Sequence, residues 1–339
     1  MTAATGPEAA EGSVSPGKAG RFLIATGIAL FAGCVSWFVT HRPAFGAPPD
    51  FYWSWLSARE LVHGRDPYAT GIVYPLPAFL VAAPFTLLRA DVATPAFSAL
   101  SSGLLAWVVT RDSYDRLPLF LSAAFGHGAV QGQWSMLLAA GVFAAPLSAV
   151  GAIKPNIGIG ILAYRPTLRA AAAMIAFAGI GLLVMPDWPA RWLGNFSGPI
   201  TSGTIIHYPP IRLPIGFLAL LALLRWRRPE ARLLVVMTFV PQSPFVYETL
   251  PLFAAARTRF EMYAMVIGTD LALAYYALAP KGDMAAFFHN NGLVVFVAVY
   301  LTALVLVLRR PNEGNVPGWV ETIGRALPKW LRGKPAPII

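Results

Sequence analysis

Asp50 opens an aromatic run, Asp50-Phe51-Tyr52-Trp53-Ser54-Trp55, directly after Pro48-Pro49. It fits a helix N-cap, where its carboxylate would accept free backbone N–H groups. It also fits a general base. Carboxylates are ionised at neutral pH, and burial beside Phe51 and Trp53 would raise the pKa and strengthen the base. The two roles are compatible. Lys154 stands in an otherwise apolar stretch. A lysine at membrane depth costs roughly 2.5–3.5 kcal/mol and is usually functional; the alternative is a lysine snorkelling at a loop. His207, in His207-Tyr208-Pro209-Pro210, can bind phosphate or assist proton transfer, although a single loop histidine is more often incidental. His127 and Gln133 sit around a glycine-rich turn, Gly126-His127-Gly128, and can line the same cavity. Glu248 and Asp270 lie in apolar runs. Buried acids in membranes often mark ion paths and so support a transporter; Asp270 has no basic partner nearby in sequence, and helix capping or packing is its preferred reading.

The elements that must position these groups are membrane helices. The 339 residues are 56% hydrophobic and 12% charged, against about 25% charged in an average soluble domain. The first apolar run, 22–40, follows Lys18 and Arg21, lacks a small-x-small cleavage site, and reads as a retained anchor. Residues 1–20 are polar and small, a disordered cytoplasmic leader. A domain over 21–310 follows, all-α and polytopic, of roughly 8–11 transmembrane or re-entrant helices. Several of its apolar runs are short or broken by proline, as at Pro75, Pro77, Pro84, Pro155, Pro241, Pro244 and Pro251. Such breaks need protein or a wet cavity to cover the freed backbone groups. Basic joints at Arg165/Arg169, Arg225–Arg228, Arg257/Arg259 and Arg309/Arg310 mark the cytoplasmic side. They leave 41–72 and 186–208 as outer loops and the parity between 73 and 165 open. His289-Asn290-Asn291 reads as a polar cap on the last span. The tail, 311–339, interleaves Trp319, Ile323, Leu327 and Trp330 with Arg325, Lys329, Arg332 and Lys334. It reads as a basic amphipathic cytoplasmic segment on an anionic leaflet, or a solvated tail.

The first outer loop continues as a helix ending near Gly64. Phe51, Trp55, Ala58 and Val62 share one face, expected to meet lipid, with Arg59 near the cavity mouth or the headgroups. Then come Gly64-Arg65-Asp66-Pro67-Tyr68 and Tyr74-Pro75-Leu76-Pro77. An acidic residue opening the first outer loop, an aromatic helix, Gly-x-Asp-Pro-Tyr and Tyr-Pro-x-Pro resemble the GT-C-fold glycosyltransferases. The nearest likeness is family 87, with its polyprenyl-phosphate-mannose-dependent mannosyltransferases and arabinofuranosyltransferases. Gly132-Gln133, Ile153-Lys154-Pro155 after Ala149–Ala152, and Asn195-Phe196-Ser197 after Trp192 follow in the same order. The resemblance covers about residues 22–230. Tyr-Pro-Leu-Pro replaces the commoner Tyr-Pro-Pro, and the basic loop usual before the Lys-Pro helix is missing.

The resemblance implies a GT-C-like bundle in a plasma or inner membrane, with its active site on the extracytoplasmic face of the cell envelope. It implies inverting transfer of mannose or an arabinose-like sugar from a polyprenyl-phosphate donor to a lipid or glycan acceptor. Asp50 would be the catalytic base. Lys154, His207 and Arg59 would hold the donor phosphate, and His127, Gln133, Tyr68 and Tyr74 would line the cavity. No cofactor is expected, since the lipid-phosphate sugar is a substrate. No metal is implied, because the first outer loop has no Asp-x-Asp pair. Walker, dinucleotide and zinc spacings are absent, as is any reason to expect nucleic acid from the net charge of +10. The alternatives are a transporter or flippase of a lipid-linked or small solute, and a non-enzymatic assembly subunit.

Overall fold

A computed structural model describes residues 17–42, 48–201 and 207–335, without the side chains of 196–201 and 330. Most of the expected leader and the side chains of Phe196, Ser197 and Trp330 lie outside that description. Among the described residues the chain is helical throughout, with no β-strand.

Three helices are long and apolar enough to cross a membrane. They are α1 (Lys18–Thr40), α4 (Ala90–Val109) and a continuous helix over Met284–Leu308. The last comprises α12 (Met284–Val295), a π turn and α13 (Leu301–Leu308). At about 1.5 Å per residue each reaches the roughly 30 Å hydrocarbon thickness. A fourth span is possible if α8 (Leu168–Val184) and the start of α9 (Trp188–Thr201), bent by 99°, act as one. The protein is therefore helical with the dimensions of a membrane protein. Exposed Phe22, Leu23, Phe31, Ile175, Leu183, Phe260 and Leu278 give its outside an apolar surface that water would not tolerate at this extent.

α1 and α4 pack antiparallel. Arg21 at the start of α1 donates to the Trp107 carbonyl (2.6 Å), and His41 beyond its end approaches Asp91 at the start of α4 (3.9 Å). Small residues make the contact: a Cβ at Gly33 would lie 3.1 Å from Ala99 Cβ, and one at Gly103 3.0 Å from Ala29 Cβ. Without a hydrophobic drive between helices in lipid, such close approach supplies the attraction.

The remaining apolar runs form short pieces that reverse direction repeatedly. α5 (Ala123–Gln131) and α6 (Ser135–Phe143) turn at Gly132. A 3-10 stretch, Ala145–Ile153, and α7 (Pro155–Tyr164) turn at Lys154. Two further 3-10 stretches, Gly216–Arg225 and Val246–Ala255, flank α10 (Pro229–Phe239). At about 2.0 Å per residue, ten 3-10 residues cover about 20 Å.

The basic joints gather at the α1 N-terminal end. Arg165 donates to the carbonyls of Val142 and Phe143, and Arg232 to those of Ala163 and Tyr164. Buried Glu230 pairs with Arg228 (2.9 Å), Arg310 (3.2 Å) and Arg257 (3.4 Å). The tail docks there. In α14 (Gly318–Arg325) Glu321 meets Arg227, and Trp226 Nε1 donates to the Leu331 carbonyl. Trp319 and Ile323 of the expected amphipathic face remain exposed.

Candidate functional site

The site lies at the other end, where α1 finishes. Ser36 near that end donates to the Val130 carbonyl of α5 (3.3 Å). In the turn that follows, Gly132 has φ +65, and a Cβ there would meet Phe51 Cβ at 2.7 Å and Thr94 Cγ2 at 2.8 Å. Glycine suits both demands, a left-handed backbone and bare contact with Phe51. The turn thereby aims Gln131 and Gln133 at the start of α2 (Asp50–Val62). Gln131 Oε1 accepts from the Asp50 backbone N–H (3.3 Å), and Gln133 Nε2 donates to Asp50 Oδ2.

Asp50 is the first residue of α2, not its N-cap. Pro49 holds that position, and the Asp50 carboxylate makes no capping bond. Beside the positive end of the α2 dipole, it is left to Gln133 and to whatever enters the site. Burial raises its pKa above the usual carboxylate value, with Glu248 adding to the rise and Lys154 and Gln133 opposing it.

The face of α2 expected to meet lipid is turned inward instead. Phe51 (1% exposed), Trp55 and Ala58 are buried in protein, and only Val62 of that set is exposed. Phe51 stacks on Phe97 (4.1 Å between ring centres) with Phe85 and Trp134 edge-on. This aromatic cluster fixes the base of Asp50.

Lys154 sits at the apex between Ala145–Ile153 and α7. Proline drives the residue before it into extended backbone and favours a helix start after it, and Lys154 adopts φ −141, ψ 82. The two arms touch backbone to backbone: a Cβ on Gly158 would lie 2.1 Å from the Gly151 carbonyl oxygen. From this apex Lys154 forms an ion pair with Glu248, whose carboxylate also accepts from Ser243 Oγ (3.1 Å). Its ammonium lies 5.9 Å from the centre of the Tyr74 ring.

Lys154 faces a cavity of about 520 Å³, walled by Val73, Tyr74, Pro75, Pro155, Asn156, Trp192, Leu193, His207 and Pro241. That is the size of a small-molecule site. On its inner side a void of about 10 Å³ is shared with Gln133, Ser135, Tyr247 and Glu248. Lys154 therefore stands between the open cavity and the Gln133 that holds Asp50.

The segments 66–73 and 191–195, from the two loops expected to lie outside, are clamped together beside this cavity. Arg191 of α9 pairs with Asp66 (2.7 Å), and Trp192 Nε1 donates to the Val73 carbonyl (2.8 Å). Asn195 Nδ2 donates to the carbonyls of Tyr68 (2.8 Å) and Ile72 (3.1 Å). Asp66 also caps the 3-10 turn Pro67–Thr70. The Gly-x-Asp-Pro-Tyr and Asn-x-Ser segments, far apart in sequence, are thus one structural unit.

No family model, curated protein or solved structure matches the chain. The geometry alone therefore sorts the expected site residues. Asp50, Gln133, Lys154, Tyr74 and His207 come together. Arg59 does not: it is exposed, over the Trp55 ring (5.4 Å), and lines no part of the cavity. Tyr68 packs against Phe79 behind the wall. His127 is enclosed by the rings of Phe245, Tyr247 and Tyr276, away from the cavity wall. Asp270 Oδ1 accepts from the Ala123 N–H (2.7 Å) and so caps α5, the structural role expected of it. Glu248 is instead the counter-ion of Lys154. His289-Asn290-Asn291 lies inside α12 rather than capping it. Asp283 is the cap, and Asn291 donates to the Pro244 carbonyl (2.6 Å). Among the described residues no group of three or more His, Cys, Asp or Glu could hold a metal ion.

Proposed function

We propose that this protein is a multi-pass membrane glycosyltransferase. It transfers a sugar from a polyprenyl-phosphate donor to a hydroxyl of a lipid or glycan acceptor, on the face opposite its basic joints. The observation that carries the reading is Lys154 on the wall of a cavity lined by apolar and aromatic side chains, with the half-buried Asp50 carboxylate held by Gln133 across the inner void that Lys154 also borders. A carboxylate suits the proton of an attacking hydroxyl. A cation suits a departing phosphate. Trp192, Leu193, Val73 and Pro241 suit an isoprenoid chain. The basic joints, gathered at the far end, are what a cytoplasmic rim would carry.

The acceptor oxygen attacks the anomeric carbon and its proton passes to Asp50. The bond from that carbon to the phosphate oxygen breaks. Polyprenyl phosphate departs with the electron pair, neutralised by Lys154 with His207 alongside. A single displacement inverts the anomeric carbon. The sugar, mannose or arabinose-like, and the plasma or inner membrane rest on the sequence resemblance alone.

A transporter or flippase is the second reading, and the buried Lys154–Glu248 pair is the observation that favours it. Asp50→Asn, assayed in membranes with a panel of radiolabelled polyprenyl-phosphate sugars, separates the two. The transferase reading expects wild type to move label to acceptor and the variant to lose at least about a hundredfold in rate, the lower end for general base catalysis. Undiminished transfer by the variant would remove Asp50 from the chemistry. Label that crosses proteoliposome membranes without changing acceptor would favour transport.

A further inference from the structure

Lys154 brings positive charge to a place that is already positive. It precedes the first turn of α7, whose free backbone N–H groups carry the positive end of the helix dipole. A cation there is disfavoured unless an anion joins it. In this structure Glu248 is that anion. Its side chain is 2% exposed and that of Lys154 11%. One carboxylate oxygen takes both the Lys154 ammonium and the Ser243 hydroxyl. The other, Oε2, is buried and accepts no hydrogen bond. An ionised carboxylate offers about four acceptor positions, so Glu248 is poorly served as a hydrogen-bonding group and serves chiefly as a charge. Lys154 meanwhile borders both the inner void beside Glu248 and the outer cavity. Its flexible four-carbon stem lets the ammonium move between the two.

We propose that Glu248 is the resting counter-ion of Lys154, a positioning residue that holds the ammonium at the cavity wall until the phosphate of an anionic lipid takes its place. This rests on the reading that the cavity receives a lipid phosphate. It makes the site selective for anionic head groups, since a neutral lipid cannot draw Lys154 away from its partner.

The probe is polyprenyl phosphate without sugar, bound to the purified full chain in lipid nanodiscs between pH 7.5 and 9.5. The second phosphate ionisation lies near pH 6 and is complete in this window. The titratable groups facing Lys154 are Glu248 and Tyr247 from the 3-10 stretch, Tyr74, Asp50 from α2, and His207. All but Glu248 are common to every variant compared.

Wild-type affinity is expected to stay within about twofold across the window. Glu248→Gln strands the ammonium in an apolar wall, so binding falls with rising pH, approaching about tenfold per pH unit once the lysine deprotonates. Glu248→Asp restores a flat profile, and so does Lys154→Arg added to Glu248→Gln, because guanidinium keeps its proton. A flat profile for Glu248→Gln, or a slope that survives Lys154→Arg, overturns the proposal. Calorimetry in buffers of different ionisation enthalpy reads the same linkage: wild type is expected to exchange no proton on binding and Glu248→Gln to take one up where its profile slopes, and equal proton exchange in the two refutes the proposal. Failure of wild type to bind the probe at any pH overturns the lipid-phosphate reading itself. The two failures are therefore distinct.

Discussion

Gly132 offers the sharpest measurement of whether the site is built as described. Replacing it with alanine has two consequences. The residue has φ +65, where a Cβ costs about 1–2 kcal/mol. The new methyl would also lie 2.7 Å from Phe51 Cβ and 2.8 Å from Thr94 Cγ2, against an optimum of about 3.5–4.0 Å. Phe51 has little room to yield, because Phe97 lies across its face and Trp134 and Phe85 at its edges. Overpacking of this kind costs about 1–3 kcal/mol, for a total of about 2–5 kcal/mol. Gly64 is the matched control. It has φ +71 and nothing within 4 Å of a built Cβ, so Gly64→Ala carries the backbone strain alone. Thermal unfolding of both variants, followed by tryptophan fluorescence, should show Gly132→Ala losing about 5–10 °C and Gly64→Ala clearly less. The proposed transfer activity should fall with Gly132→Ala, because Phe51 cannot move without displacing Asp50. Equal, small losses in the two variants would mean that Gly132 is not pressed against Phe51 and that the orientation of Gln133 towards Asp50 is wrong.

Three other outcomes follow from the same geometry. Lys154→Met and Glu248→Met should each destabilise by about 3–5 kcal/mol by leaving a buried partner charge, whereas the double variant should lie near wild type; denaturation of the three would show it, and additive losses would count against a buried pair. Asp66→Asn should hardly change overall stability, since Asp66 and Arg191 are both partly exposed. Asn195→Ala should cost about 1–3 kcal/mol for two lost bonds, and hydrogen exchange should quicken over residues 66–74 in both. The third outcome concerns pH. Asp50 has its pKa raised by burial, so its contribution to folding is complete below the ordinary value of 3.8 and is lost as pH rises through the raised value. Asp50→Asn should therefore be at least as stable as wild type at neutral pH, with the difference closing in acid. The proposed transfer reaction, with Asp50 as its base, should run the opposite way and speed up with pH through that same raised value.

Much of the site was legible because its residues break local patterns. A lysine before proline in an apolar run and a carboxylate before four aromatics are conspicuous in one dimension. Glu248 is conspicuous as an acid in an apolar run, but its role is not. Its partner is 94 positions away, and nothing in a 3-10 stretch of Val, Leu, Phe and Ala announces which side faces a lysine. The lipid face assigned to α2 failed for a physical reason: lipid and protein interior are equally apolar, so a stripe such as Phe51, Trp55 and Ala58 does not say which it meets. The N-cap reading of Asp50 missed by one residue, within the usual uncertainty of helix ends, yet that residue decides whether the carboxylate is occupied. The parity left open between 73 and 165 was unreadable because the reversals fall at Gly132, Ala144 and Lys154, between pieces of only nine or ten residues.

Glu230 has a consequence for how the chain reaches its orientation. The arginines that should direct insertion into the bilayer end up clasped around one acidic side chain from three separate joints. One carboxylate offsets only one of the three positive charges, so the cluster stays net positive at this end of the molecule. The finished protein then uses the same cations as a latch across its base, so that neutralising Glu230 would loosen the floor of the molecule without turning it over.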